Sequence, residues 1–368
     1  MNDDASSVLP PEAFAVALAS MPSMGPARLR TLLAEDAPAR AWARANEDTG
    51  PSLAAVDRAW QRQISLGIRV LLAGQPSYPA RLVDDPRAPA VLFCLGDPDV
   101  LTERPTAALV GTRAPTRYGI GVAAQFGAEL AAAGVSVVSG LALGIDGAAH
   151  EGACGVGAPP IAVVAGGLDR AYPPRHERLW ERVASTGVIV SESPAGVPTE
   201  KWRFPVRNRL LAALSDVVVV VESRHHGGSR HTVDAAMDRG VPVGAVPGSI
   251  RSATSEGTNA LLADGAFPVC SSGDILIALA LAGAAVAIAP ETAAGRRSSG
   301  AASTTDPPPD PGLDRSVYEA LSVDPTPLDE LVRLTGLELA ELCGGLERLA
   351  RAGLARDAGG WWERAGTS

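Results

Sequence analysis

Apolar positions along this chain fall into two textures. From residue 10 to about 66 they recur at helical spacing, with Phe14, Ala17, Leu18 and Met21 on one face and Leu29, Leu32 and Leu33 on another. From about residue 68 they gather into short continuous runs, at 68–73, 90–95, 106–111, 135–139, 160–165, 187–191, 217–222 and 242–246. Most of these are separated by stretches long enough for a crossover helix. Runs such as "DVVVVVE" (216–222) show no polar alternation, so both faces of such a strand are expected to be buried. The pattern predicts an α/β protein on a mostly parallel sheet. Many of the runs end near Gly111, Gly140, Gly166, Ser191 or Pro247, which lines the C-terminal sheet edge with small residues. That edge is where open α/β sheets bind ligands.

Helices and linkers flank this core. "PSMGP" (22–26) is a tight turn between two helical patterns, and it resembles a helix-hairpin-helix or SAM-like hairpin whose turn amides hold a DNA phosphate. Ser23 stands where such hairpins have their first Gly, so packing or partner docking is the alternative use. Residues 289–312, small, polar and Pro-rich, read as a disordered linker. Beyond it, "LDRSVYEALS", "PLDELVRLTG" and "ELAELCGGLERLARAG" are three helical patterns followed by a two-stranded ribbon, the order of a winged helix. Its third helix carries Glu338, Glu341 and Glu347, which opposes contact with phosphates and favours a protein-docking or vestigial role. The expected layout is a small helical domain at 1–66, a ligand-binding sheet domain at 67–288, the linker at 289–312 and a winged helix at 313–368.

Composition narrows the chemistry. A chain of 368 residues with 46 % hydrophobic content has ample core for more than one domain. Its net charge of −9 excludes a generic polyanion binder, so any nucleic-acid site must be a local concentration of Arg on an acidic body. Cys94, Cys154, Cys270 and Cys343 are scattered, with no zinc or redox spacing, and read as free thiols in a reducing cytosol. The acidic start "MNDDASSVLPPEAF" has no signal-peptide core. The longest apolar run, Ile275 to Ala289, is short of the roughly 20 residues that span a bilayer; it follows "SSGD" and predicts a buried helix. A soluble, cytoplasmic protein without a membrane span is expected.

Five strand-end motifs carry the candidate chemistry. In "ALVGTRAPTRYG" (108–119), Gly111 allows close backbone approach and Arg113 can fork onto a phosphate. In "VVSGLALGIDGAAH" (137–150), Ser139, Gly140 and Gly144 form an anion nest closed by a helix N-terminus. Asp146 is placed to cap that helix, and His150, four residues on, shares its face, which suits a structural hydrogen bond better than a catalytic dyad. In "KWRFPVRNRLLAALSD" (201–216), Lys201, Arg203, Arg207 and Arg209 precede or open an apolar helix, with Trp202 and Phe204 among them. That mixture of cations and stacking surfaces suits single-stranded nucleic acid. "RHHGGSRHTVDAAMDRG" (224–240) adds a Gly227-Gly228-Ser229 loop with Arg224, Arg230 and His231, and His225, His226 and His231 have no carboxylate cluster to make them metal ligands. "AVPGSI" and "TSEGTNALLADGA" (245–266) supply one further strand end. No nucleophile elbow, Walker A loop or metal triad is present. The set describes a phosphate binder with no catalytic residue and no cofactor or metal, and it leaves open whether the phosphate belongs to a nucleotide or to a polymer.

Read together, "YPARLVDDPRAPAVLFCLGD", "VGTRAPTRYG", "SGLALGIDGAAHEGA", "AGGLDRAYPPRH", "FPVRNRLLAALSD" and "SEGTNALLADGA" resemble, in order, the DNA-processing protein A (DprA/Smf) family over roughly residues 10 to 285. The tail is similar to that family's optional winged helix. The resemblance implies an extended Rossmann-like fold that binds single-stranded DNA, forms a homodimer and loads the RecA recombinase during natural transformation, and that is not known as an enzyme. By motif match it implies a DNA pocket lined by Gly111, Arg113, Ser139, Gly140, Gly144, Arg207, Asn208, Arg209, Gly228 and Ser229. Arg175, in "YPPRH", stands where members often carry a Lys facing the phosphates. Gly227-Gly228-Ser229-Arg230 replaces the usual Ser-Gly-Ser-Leu loop, and Arg230 adds a phosphate contact. Two other readings compete. A phosphoribohydrolase acting on nucleoside monophosphates would show PGGxGT and a catalytic Glu, and "VPGSI" has neither. A nucleotide-sensing module would bind a small signal in place of a polymer.

Overall fold

The apolar runs become a nine-stranded sheet: β1 (Arg69–Leu72), β2 (Val91–Gly96), β3 (Thr106–Val110), β4 (Ser136–Ser139), β5 (Ile161–Val163), β6 (Val188–Ser191), β7 (Val217–Val220), β8 (Val243–Ala245) and β9 (Phe267–Pro268). The computed structural model describes residues 9–22, 24–47, 52–225, 227–286, 313–321, 326–357 and 361–365. The linker expected at 289–312, Ser23 of the hairpin turn and His226 lie outside these residues. The spatial order is β1-β2-β6-β5-β4-β3-β7-β8-β9. β2 runs antiparallel to β1 and β6, and every other pairing is parallel. Eight strands coincide with the eight apolar runs. The ninth, two residues long, is too short to leave a periodic signal.

From β3 the chain steps to β4, β5 and β6 on one side, then returns to β7 on the other, with Ala108 in register between Val138 and Val218. The loops after β3 and β7 therefore diverge and open a crevice at the C-terminal edge. On one face Leu109, Val137 and Val219 pack against Phe126 and Leu130 of helix Arg117–Ala132 and Ile145 and Ala149 of helix Ile145–Cys154. On the other, Val110, Val163 and Val220 pack against Leu210 and Leu211 of helix Arg203–Ala213 and Val233 of helix Arg230–Met237. Helices Pro11–Ala19, Pro26–Glu35, Pro38–Ala45 and Leu53–Ser65 precede the sheet, and Val16, Leu18 and Trp42 share one core with Phe93, Trp180 and Ile189. The first three begin with Pro, whose missing N–H has no partner to lose there.

The apolar run from Ile275 forms helix Ser272–Leu281, closed by a reciprocal capping box between Ser271 and Asp274. The expected buried helix is buried along one face: Ile275, Ala278 and Leu279 are covered, while Ile277 is 48 % and Leu281 84 % exposed. Among the described residues, no helix is long and apolar enough to cross a membrane.

Contacts divide the chain into Met1–Ile288 and Ala289–Ser368. The second unit holds helices Leu313–Ala320, Leu328–Thr335 and Leu339–Arg351 around Val317, Leu331, Leu342 and Leu346. Its sheet comprises β10 (Thr326–Pro327), β11 (Ala355–Asp357) and β12 (Trp361–Arg364), in antiparallel order β10-β12-β11. The expected two-stranded ribbon is thus three-stranded. Thr326–Pro327 joins it from between the first two helices.

Candidate functional site

Three glycines set the walls of the crevice. A Cβ at Gly111 would lie 2.6 Å from the Ile145 side chain and 2.7 Å from the Glu222 carbonyl, so the backbone after β3 sits hard against its neighbours. Gly144, at φ +85°, packs on the loop carrying Arg113, and a Cβ there would lie 2.8 Å from Pro115 Cδ. Gly140 separates two buried charges: a Cβ would collide with the Arg207 guanidinium and stand 2.5 Å from Asp146 Oδ2. Ser139 lies at the same strand end, but its hydroxyl donates to the Leu109 carbonyl at 2.6 Å and is spent inside the sheet.

Helix Arg203–Ala213 begins earlier than the sequence suggested, so Arg207 sits one turn inside it and is only 5 % exposed. Arg207 Nη1 donates to the Val163 carbonyl, while its Nε–H is buried with no partner among the described residues. Burial pulls its pKa down to about 10, against the attraction of Asp146, with Arg113 adding repulsion. Asp146 is buried too, and that burial raises its pKa. Arg207, the Ala142 amide, Arg113 and the Gly140 amide pull it back down. Asp146 does not cap its own helix as expected: the N-cap is Gly144, with no side-chain bond. Nor does it bond His150, both of whose buried ring nitrogens lack a hydrogen-bond partner among the described residues. Burial, His176 and Arg207 bring His150 down to about 4, opposed by the Ser139 backbone.

Aromatic rings cover this charge pair. The Arg113 guanidinium lies over Phe204 at 4.3 Å, Arg207 is 5.9 Å from the same ring, and the Tyr172 and Phe204 centroids are 5.9 Å apart. Trp202 is half exposed, with Arg203 over one face at 4.3 Å and its Nε1 donating to Glu200 at 2.8 Å. Arg175 is exposed on the turn Pro174–His176, where His176 Nδ1 lies 2.9 Å from the Leu141 carbonyl.

Past β7, Asn208 Nδ2 donates to the Gly228 carbonyl at 3.2 Å, which ties the Arg207 helix to the Gly227–Ser229 loop. The Ser229 hydroxyl donates to Ser223 at 2.8 Å, again an internal use, whereas a Cβ at Gly228 would meet open space. Arg230 is exposed and has no ion-pair partner among the described residues. Arg209 is the clear departure. Successive helical residues point about 100° apart, so Arg209 turns away from Arg207 and pairs with the buried Glu192 and the Arg87 carbonyl. It is a structural ion pair. Among the described residues no group of three His, Cys, Asp or Glu is placed to hold a metal.

Sequence reasoning missed two residues here. Tyr172 sits in the Arg175 motif, but only the fold brings it to Phe204. Glu222 ends the Val-rich strand and is 3 % exposed, its carboxylate accepting from Thr116 N at 2.8 Å and Thr116 Oγ1 at 2.6 Å. An acid closing an otherwise apolar run was the available signal. Between Gly140, Gly166, Tyr172 and Phe204 lies a cavity of about 10 Å³, the room of one water molecule. A groove of about 630 Å³ lies at the β1 edge among Arg30, Leu33, Gly74 and Tyr78, bordered by none of the strand-end residues above.

The fold is that of an extended Rossmann-like α/β protein whose strand-end crevice at the switch point is bordered by glycines and the buried Arg207. Residues 69–280 match the DNA recombination-mediator protein A family, and residues 301–359 match the DprA winged helix domain. The chain is 35 % identical over 247 residues to the DNA processing protein DprA of Bacillus subtilis (strain 168), covering 67 % of this chain and 82 % of that one. It is similar in structure to DNA processing protein A of Streptococcus pneumoniae, with a TM-score of 0.61 and 30 % identity, over 73 % of this chain and 96 % of the other. It is also similar to the Helicobacter pylori DNA processing protein A, whose structure was described for its single-stranded DNA binding mode (TM-score 0.52, 31 % identity, 58 % and 96 % covered). This chain belongs to the DNA recombination-mediator protein A (DprA) family.

Proposed function

We propose that this chain binds single-stranded DNA along the crevice beyond β3, β4, β5 and β7, and that it acts as a homodimer loading the RecA recombinase in natural transformation or homologous recombination. The observation that carries the reading is Arg207: a buried guanidinium with an unpartnered Nε–H, beside Arg113 stacked on Phe204. A phosphate brought to Gly140 restores the solvation that Arg207 lost on folding, and charge-assisted bonds to an anion are the strong ones. Gly111, Gly140, Gly144 and Gly228 supply close-approaching backbone, and Arg175 and Arg230 supply exposed charge at either side. Phe204 and Trp202 offer stacking surfaces that tolerate any base. The Helicobacter pylori relative's described single-stranded DNA binding supports the same ligand, and membership of a recombination-mediator family supports the recombinase as partner.

The account is of binding without catalysis. The cavity beside Phe204 holds about 10 Å³, well under the roughly 300–1,000 Å³ of a small-molecule pocket, which supports an open crevice for a strand over an enclosed mononucleotide site at that position. The test is the salt dependence of oligo-dT binding. Arg113→Ala is expected to weaken binding roughly tenfold and to lower the log–log salt slope by about 0.7, one phosphate's worth on a single strand. Unchanged affinity and slope would remove the proposed pocket.

A further inference from the structure

Arg113 stands on a loop with little support of its own. Thr112 N–H donates to the Glu222 carbonyl at 2.8 Å, and Ala114 N–H to Thr112 Oγ1 at 3.2 Å. The Thr112 carbonyl accepts the Ile145 N–H at 3.3 Å, and at the far end of the loop both donors of Thr116 go to one buried carboxylate. Glu222 Oε2 accepts from Thr116 N at 2.8 Å, and Oε1 accepts from Thr116 Oγ1 at 2.6 Å and Thr254 Oγ1 at 3.4 Å. Thr116 also begins helix Arg117–Ala132, its hydroxyl accepting from Gly119 N at 3.1 Å. At Gly119 itself a Cβ would stand 2.5 Å from Glu222 Cδ, so the absent side chain is what admits the carboxylate. Thr254 in turn accepts Ser223 N–H at 2.8 Å, and Ser223 accepts Gly257 N–H at 2.8 Å. Among the described residues no cation pairs with Glu222. A buried acid satisfied only by neutral donors from the loops after β3 and β8 is costly to keep as mere packing.

We infer that Glu222 is a positioning residue for DNA binding: it fixes the Arg113 loop so that the guanidinium is held over Phe204 at the strand ends. The inference rests on the single-stranded DNA reading above. It makes no claim that Glu222 touches the DNA, which its carboxylate would repel. Its effect therefore passes through Arg113, and a double-mutant cycle separates that route from a general loss of stability.

The experiment measures oligo-dT affinity by anisotropy on the full chain and on Glu222→Gln, Arg113→Ala and the double variant, with melting temperatures alongside. The Gln side chain keeps one acceptor oxygen where the carboxylate has two, so either the Thr116 N–H or the Thr116 hydroxyl loses its acceptor. Glu222→Gln is expected to weaken binding about three- to tenfold in the wild-type background and to have almost no further effect once Arg113 is gone. Thr116→Val, which removes the hydroxyl but keeps the backbone donor, is expected to repeat the pattern, and it carries the cycle if Glu222→Gln does not fold. Additive losses in both cycles, or no loss from either single variant, overturn the inference while leaving the DNA site in place. A wild-type chain that does not bind the strand overturns both.

Discussion

Arg207 is a buried cation, and its neighbour Asp146 favours its charge. The two face each other across Gly140, and each shifts the other's ionisation toward the charged form. Arg207→Ala should therefore remove more than a DNA contact: it takes one favourable cation from the buried Asp146 carboxylate, leaving Arg113 and the Ala142 and Gly140 amides, and should lower stability. Thermal or urea denaturation should show that loss, and Asp146→Asn added to Arg207→Ala should recover much of it. Failure of the second change to recover stability would mean that the charges are not coupled. His150 makes a separate prediction. Its folded pKa of about 4 lies below the unfolded value of 6.5, so folding favours the neutral ring. The stability it contributes is complete above pH 6.5 and is lost as pH falls through 4, by about 3 kcal/mol. His150→Leu should flatten that part of the stability profile, and an unchanged slope would place the acid sensitivity elsewhere. Neither effect was legible in the sequence. "FPVRNR" shows a cluster of cations, but which of Arg207 and Arg209 goes inward depends on where the helix starts and on what lies opposite.

At the scale of elements, the small residues of helices Arg117–Ala132 and Ile145–Cys154 set how close the two can pack. A Cβ at Gly152 would collide with the Ala124 carbonyl, and one at Gly127 with the Ala149 carbonyl. Because the second helix starts at the Gly140–Gly144 loop, this contact also fixes that loop. Gly152→Ala should cost about 1–3 kcal/mol despite its better helix propensity, read as a fall in melting temperature; a gain in stability would show that the helices can separate freely. The strands were legible because Val-rich runs buried on both faces carry a strong signal, as in β7. The serines were not. Ser139 and Ser229 look like phosphate ligands in the sequence, yet their hydroxyls go to Leu109 and Ser223, partners distant or hidden in the chain order. The acid at Glu222 was visible as the end of a strand, but its tie to Thr116 spans more than a hundred residues.

For the whole molecule, a net charge of −9 requires the proposed DNA affinity to come from a local concentration of Arg on an acidic body. In the winged helix, Arg333 pairs with Glu330, Arg351 with Glu347 and Arg356 with Glu363, while Glu338 and Glu341 open the third helix. A chain ending at Ile288, the boundary of the first unit, should keep most of its single-stranded DNA binding; a large loss in a titration of that fragment would assign the winged helix to DNA. The central claim, that the strand-end crevice takes a single-stranded polymer, is tested most directly by fluorescence anisotropy. Labelled oligo-dT, a duplex of the same length and a mononucleotide competitor would be titrated at two salt concentrations. The account predicts salt-sensitive preference for the single strand and no competition from the mononucleotide. Tight mononucleotide binding without preference for the strand would contradict it.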